Sequence, residues 1–280
     1  MEVRLASGLA LWLTAAALLS GCPQAESASA GRGAASGSNA PRASTERPSL
    51  PATDPTGCGA GERTAERERM VRETIEADGI KDGRVLAAMR RVARHRFVPD
   101  SVSIEAYEDR PLPIVHDQTI SQPFIVAFMT AAVAPKPSDK CLEIGTGSGY
   151  QAAILAELCR RTYSIEYLPD VARFGEANLR RCGYGRDRVE LRVGDGYRGW
   201  PEAAPFDVIV VTAAPEQVPT PLLAQLGVGG RLVVPVGSQQ GTQQLELWTR
   251  AGTGPDASAL ERRRLLPVRF VPLLGEAQQR

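Results

Sequence analysis

The sequence predicts an α/β fold with a mostly parallel sheet wound by helices on both faces. Three observations carry this. From Cys141 to Trp248, short apolar runs alternate with helix-length stretches, the pattern of repeated strand-helix-strand units. Phe206-Asp207-Val208-Ile209-Val210-Val211 is apolar at nearly every position, as a central parallel strand buried on both faces should be. Cys141-Leu142-Glu143-Ile144 runs into Gly145-Thr146-Gly147-Ser148-Gly149-Tyr150 and then into a helix pattern. That is the strand, turn and helix start of a nucleotide-type pocket, where bare backbone comes close to a ligand.

The 280 residues allow one large domain or two small ones. Residues 1–22 read as a signal peptide. Arg4 gives a positive flank, and Leu9 to Leu19 is an apolar core too short to span a bilayer comfortably. The segment ends in Leu19-Ser20-Gly21-Cys22, which resembles the lipobox of bacterial lipoproteins. The resemblance implies lipid attachment at Cys22 and anchorage to a bacterial membrane on its periplasmic side; an unused signal would leave the chain cytoplasmic. Residues 23–61 are rich in Ala, Ser, Gly and Pro and read as a disordered tether. Cys58 falls within it and, with no obvious partner, reads as a bystander thiol. Residues 62–280 are the folded domain, opening with a helical cap. The net charge is +1, so no global field favours nucleic acid. The chain has two histidines, five cysteines and no C-x-x-C, which argues against a metal site.

Within the domain, Glu62 to Ala77 is charge-dense, with Met70, Val71 and Ile75 as sparse apolar positions. It reads as a surface helix with a narrow buried stripe, stopped by Gly79. Asp82 can cap a second helix through Val85, Leu86, Met89 and Val92. Arg90, Arg91, Arg94 and Arg96 end it, where cations interact favourably with the helix C-terminus. His95, among them, is expected at the surface. Pro111 and Pro113 keep the next stretch extended. Ser121 then precedes a helix of Phe124, Ile125, Phe128, Met129 and Val133, with Pro123 in its first turn. By residue type alone Ser121 is an N-cap.

After the glycine turn, Gln151 to Leu158 is helical and Thr162 to Glu166 is a second strand. Asp170 to Leu179 is a helix, and Val189 to Val193 a third strand leading into Gly194-Asp195-Gly196. Beyond the central strand come a short helix at Leu222 to Leu226 and strands at Gly229 to Val236 and Gln244 to Trp248. In such sheets ligands bind outside the carboxyl ends of the strands, at the switch point. Glu143, Glu166 and Asp195 all fall at such ends. Glu143, just before the first glycine, would repel a pyrophosphate but suits a ligand with a cationic amino-acid portion. Glu166 can accept hydrogen bonds from both ribose hydroxyls, Asp195 can meet an adenine amino group, and Thr212 to Pro215 would lie beside the reacting group.

These residues resemble the protein-L-isoaspartate O-methyltransferases from roughly Glu66 to Gly275. The resemblance rests on Gln118-Thr119-Ile120-Ser121-Gln122-Pro123, on Leu142 to Tyr150, on Gly194-Asp195-Gly196, on Pro205-Phe206-Asp207 through Thr212-Ala213-Ala214, and on Arg269-Phe270-Val271-Pro272-Leu273. It implies a doubly wound, Rossmann-like, seven-stranded class I methyltransferase fold with S-adenosyl-L-methionine as donor. The acceptor implied is the free α-carboxylate of L-isoaspartyl residues in damaged proteins or peptides. The family's catalytic serine matches Ser121, a role compatible with capping. Glu143, Gly145, Thr146, Gly147, Ser148, Gly149, Glu166, Asp195 and Gly196 match its donor pocket. The chain departs from the family where glycines often precede the T-I-S-Q-P segment and Val115 and Asp117 stand here. A lipid-anchored, non-catalytic binder of altered proteins and a methyltransferase for another carboxylate are the alternatives.

Overall fold

The computed structural model describes Cys58, residues 61–251 and residues 260–275. The signal segment with Cys22, and the 23–61 stretch apart from Cys58 and Gly61, lie outside the described residues. Helix α1 (Thr64–Met70) continues as a π-helical turn over Val71–Glu76, and the chain reverses at Gly79, whose φ is +102°. Helix α2 (Gly83–Arg91) is capped by Asp82, whose carboxylate accepts from the Arg84 and Val85 amides as predicted. A small hairpin of β1 (Leu112–Pro113) and β2 (Thr119–Ile120) leads into α3 (Pro123–Val133).

The main body follows as β3 (Lys140–Ile144), α4 (Tyr150–Leu158), β4 (Arg161–Glu166), α5 (Pro169–Arg181) and β5 (Val189–Val193). Then come β6 (Phe206–Val211), α6 (Thr220–Ala224), β7 (Leu226–Val236), β8 (Gln243–Arg250) and β9 (Leu260–Val268). The seven-stranded sheet has the order β5-β4-β3-β6-β7-β8-β9. Strands β5 to β7 in that order pair in parallel, and β8 and β9 add an antiparallel edge. The chain leaves β3 in one direction and returns to its other side at β6, which sets the switch point between these two strands.

Alternation along β6 explains its composition. Val208 and Val210 pack with Met129 and Val133 of α3 and Leu155 of α4. Ile209 and Val211 pack with Leu222 of α6 on the opposite face. Both faces are dry, so both must be apolar. Helix α4 is buried almost all round because α2 lies over its outer side, with Tyr150 joining the same core as Met89 and Phe97. A helix covered on every side has no use for a polar stripe.

Three expectations are corrected. His95 is buried, with Nδ1 2.8 Å from the Tyr107 hydroxyl. After α2 the chain tightens into a 3₁₀ turn at Arg94–Phe97, which turns this residue inward. Arg94 does not decorate a helix end either. It is fully buried, donates Nε to the Ala106 carbonyl at 2.8 Å and lies 5.0 Å over the Tyr150 ring. Burial pulls its pKa down to about 10. Cys58 is no bystander: it is disulfide-bonded to Cys182 at the end of α5, 124 residues away. A second disulfide joins Cys141 in β3 to Cys159 just after α4. Spacing could not reveal either pair, because each joins segments that only the packed fold brings together.

Candidate active site

The glycine turn between β3 and α4 has positive φ at Gly145, Gly147 and Gly149. Close approach adds a second requirement at Gly149, where a Cβ would lie 2.9 Å from Leu179 Cγ. The matching gap on α5 is Gly175, whose Cβ would stand 2.7 Å from the Gly147 carbonyl. Sequence reasoning missed Gly175. Its signal was an isolated glycine inside an otherwise sound helix pattern.

Glu143 is buried with no exposure. One carboxyl oxygen is hydrogen-bonded to Ser164 Oγ, which also lies 2.5 Å from Thr146 Oγ1. The other oxygen, Oε1, has no hydrogen-bond partner. Desolvation pushes the Glu143 pKa up to about 8, with the neighbouring Glu166 adding to it and the Ser164 bond opposing it. A cation delivered to Oε1 would reverse that cost. Glu166 sits at the end of β4 with its carboxylate turned back on the loop. It accepts from the Gly147 amide at 2.9 Å, and from the Tyr167 and Leu168 amides at 2.9 and 3.1 Å. Burial still raises its pKa above the usual carboxylate value.

Asp195 follows the end of β5, as the sequence expects. Its carboxylate accepts from the Tyr197 amide at 2.9 Å and caps a short 3₁₀ turn. Gly196, the next residue, lines the cleft beside Glu166, Gly145 and Gly147. Thr146 and Ser148 are nearly buried and line a smaller recess beneath the turn, together with Glu143.

On the other side of the strand ends, a cavity of about 640 Å³ is walled by Ser121, Gln122, Ile125 and Arg269, among others. Ser121 is not the cap of α3. Gln122 occupies that position without a side-chain bond, and the cap comes from Asp109 in the preceding loop. Asp109 accepts from the Phe124 amide at 2.8 Å and from Gln122 Nε2 at 2.5 Å. Its contact is long-range, so no local pattern announced it. With capping done elsewhere, the Ser121 hydroxyl is available to the cavity. Thr119, Thr212 and Val271 line both this cavity and the cleft beside Gly145. On this wall the Thr212 hydroxyl shares its one proton between the Ile144 and Gly145 carbonyls, at 3.0 and 2.7 Å.

The geometry is therefore a glycine-lined cleft and a larger cavity meeting at one wall. A model of the protein-L-isoaspartate(D-aspartate) O-methyltransferase family matches residues 57–278. The chain belongs to this family.

The protein-L-isoaspartate O-methyltransferase of Opitutus terrae is 56% identical over 214 residues, spanning 76% of this chain and 89% of the relative. That of Gloeobacter violaceus is 53% identical over 210 residues, spanning 75% and 99%. Among solved structures, a protein-L-isoaspartate O-methyltransferase aligns with TM-score 0.67 at 29% identity, over 75% of this chain and 66% of that one. A Plasmodium falciparum structure, described as a beta-aspartate methyltransferase in complex with S-adenosyl-L-homocysteine, aligns with TM-score 0.63 over 74% and 98%. At 23% identity it speaks for the fold alone.

Of Val115 and Asp117, where this chain departs from the resemblance, Asp117 has φ of +57°, and His116 between them has +54°. Both are exposed at the tip of the β1–β2 hairpin. Asp117 tolerates the left-handed region better than most residues. It is not among the residues lining the acceptor cavity. Among the described residues there is no cluster of three or more His, Cys, Asp or Glu that could hold a metal, and no helix long and apolar enough to cross a membrane.

Proposed function

We propose that the chain transfers a methyl group from S-adenosyl-L-methionine to the α-carboxylate of L-isoaspartyl residues in altered proteins and peptides. The observation that carries this reading is the shared wall of Thr119, Thr212 and Val271 between the two cavities. A donor in one reaches an acceptor in the other without leaving the site.

The donor fits the residues present. The unpartnered Glu143 Oε1 suits a cationic amino-acid portion, and Gly145, Gly147 and Gly196 leave backbone bare along the cleft. Glu166 retains lone pairs for ribose hydroxyls beyond those used by the amides, while Thr146, Ser148 and Gly149 shape the turn. Asp195 meets the adenine amino group, its loop fixed by the Tyr197 amide it caps. The bound donor supplies an electrophilic methyl group. The chain's own task is placement. An isoaspartyl carboxylate is ionised at neutral pH, so no general base has to create the nucleophile. Ser121 hydrogen-bonds and orients that carboxylate, and the cavity walls hold it in register.

The test is an assay with methyl-labelled donor, an isoaspartyl peptide and its aspartyl counterpart as control. The expected product is a base-labile methyl ester on the isoaspartyl peptide only. Donor binding with no ester on either peptide would favour another carboxylate, and failure to bind donor would favour a non-catalytic binder.

The Leu19-Ser20-Gly21-Cys22 pattern supports a second part of the reading, that the chain is exported and lipid-anchored through Cys22. The two disulfides support it too, since such bonds persist in oxidising compartments and are rare in the cytosol. Mass spectrometry of the mature N-terminus checks the lipid, and thiol trapping in intact cells checks the compartment. Four alkylatable thiols at Cys58, Cys141, Cys159 and Cys182 would place the chain in the cytoplasm instead.

A further inference from the structure

The segment from Arg269 to Leu273 crosses the sheet top and separates the two cavities. Its backbone is held at several points. Gln243, itself 1% exposed, accepts from the Phe270 amide at 2.6 Å and donates to the Phe270 carbonyl at 3.1 Å. The Ala214 amide donates to the Val271 carbonyl at 2.8 Å, and the Leu273 amide donates to the Ala214 carbonyl at 3.0 Å. A side chain on so constrained a segment is presented to the acceptor cavity at a defined place.

That side chain is Arg269. It is exposed and lines the cavity, and it is the only charged residue among the lining residues. The rest of the wall near it is uncharged: Gln240, Gly241 and Thr242 of the β7–β8 turn, Pro267 and Val268. No ion pair or hydrogen bond ties the Arg269 guanidinium to another described residue. Most of the described arginines lie against a carboxylate, a carbonyl or a ring, so an unopposed one beside the site is set up for a partner from outside.

Its position decides which partner. Val271 lines both cavities, whereas Arg269 lines only the acceptor side. Two residues of extended chain separate them, about 6–7 Å. Arg269 therefore faces the acceptor cavity and not the donor cleft. A direct ion pair with the reacting oxygen would also lower its nucleophilicity. The cavity, at about 640 Å³, holds more than one side chain.

We infer that Arg269 is a specificity residue that binds an acidic side chain flanking the isoaspartyl residue of the acceptor, and so selects damaged sites in acidic sequence contexts. This rests on the acceptor assignment proposed above. Guanidinium and carboxylate match as fork to fork, which makes such recognition directional as well as electrostatic.

The experiment uses one isoaspartyl peptide series with Glu, Gln or Lys beside the isoaspartyl residue, assayed with the wild-type protein and with Arg269→Gln, Arg269→Lys and Arg269→Glu. S-adenosylhomocysteine affinity of each variant is the control for folding. The wild type is expected to show the lowest KM for the Glu peptide, at least tenfold below the Lys peptide, with kcat varying less than about threefold. Arg269→Gln should erase the ranking, Arg269→Lys should keep part of it, and Arg269→Glu should invert it. Persistence of the wild-type ranking in Arg269→Gln would overturn the inference. So would an equal collapse of kcat for all three peptides, which would place the guanidinium on the reacting carboxylate. If the wild-type protein methylates none of the peptides, the acceptor assignment itself fails and the inference falls with it.

Discussion

Replacing Glu143 by Gln tests the electrostatics of the site before any ligand arrives. The carboxyl has no exposure and one unpartnered oxygen, and its pKa is raised from 4.5 to about 8. In the folded, ligand-free protein it is therefore mostly protonated at neutral pH, while in the unfolded chain it is ionised. A raised folded-state pKa means that the group's contribution to stability is fully present below about pH 4.5. It is lost as pH rises to about 8, at about 1.4 kcal/mol per unit. Glutamine resembles the protonated acid and does not titrate. Relative to wild type, Glu143→Gln should thus gain stability steadily between about pH 4.5 and 8, approaching a difference on the order of 5 kcal/mol, and level off above. Urea denaturation of both proteins at half-unit pH intervals measures this difference and cancels the titration of every other group. Donor binding should move the opposite way, since glutamine has no charge to meet a cation. Calorimetry with S-adenosylhomocysteine is expected to show affinity falling tenfold or more, a loss within the range for a charged hydrogen bond. A stability difference flat across the pH range would refute the reasoning, because it would mean the carboxyl is already ionised in the folded state.

Asp109→Ala removes the cap of α3 and the tie to Gln122; it should cost about 1–2 kcal/mol and lower kcat while donor affinity holds, so an unchanged kcat would separate Asp109 from Ser121. Gly175→Ala sets a Cβ 2.7 Å from the Gly147 carbonyl and should weaken donor binding at least tenfold. Gly83→Ala, with nothing within 4 Å, should leave it unchanged; equal effects at the two positions would contradict the close packing of α5 on the turn. By loop-closure entropy, replacing Cys58 and Cys182 by Ala should cost about 4–5 kcal/mol and replacing Cys141 and Cys159 about 3. Denaturation midpoints read the order of the two, and a reversed order would point to packing rather than chain entropy.

The fold class and the cofactor half of the site were legible because their signals are local. Apolar alternation, a glycine turn and an acid at a strand end all lie within one strand-turn-helix unit, and β6 announced its double burial by composition alone. Glu143, Glu166, the glycines and Ser121 were accordingly singled out from the chain itself, with the family resemblance deciding the role of Ser121. The environment of each was not. That Glu143 is desolvated with one oxygen unpartnered, that Glu166 grips the Gly147 amide and that Asp195 caps a short turn depend on how the chain packs. The same holds for what was missed or misread. Asp109 caps a helix from another segment, Gly175 matters only because α5 lands on the turn, and His95 and Arg94 are buried by the turn that follows α2. Cys58 finds Cys182 across most of the domain. Local sequence carries backbone preference and hydrophobic period, whereas desolvation, long-range hydrogen bonds and disulfide partners exist only once the layers have packed.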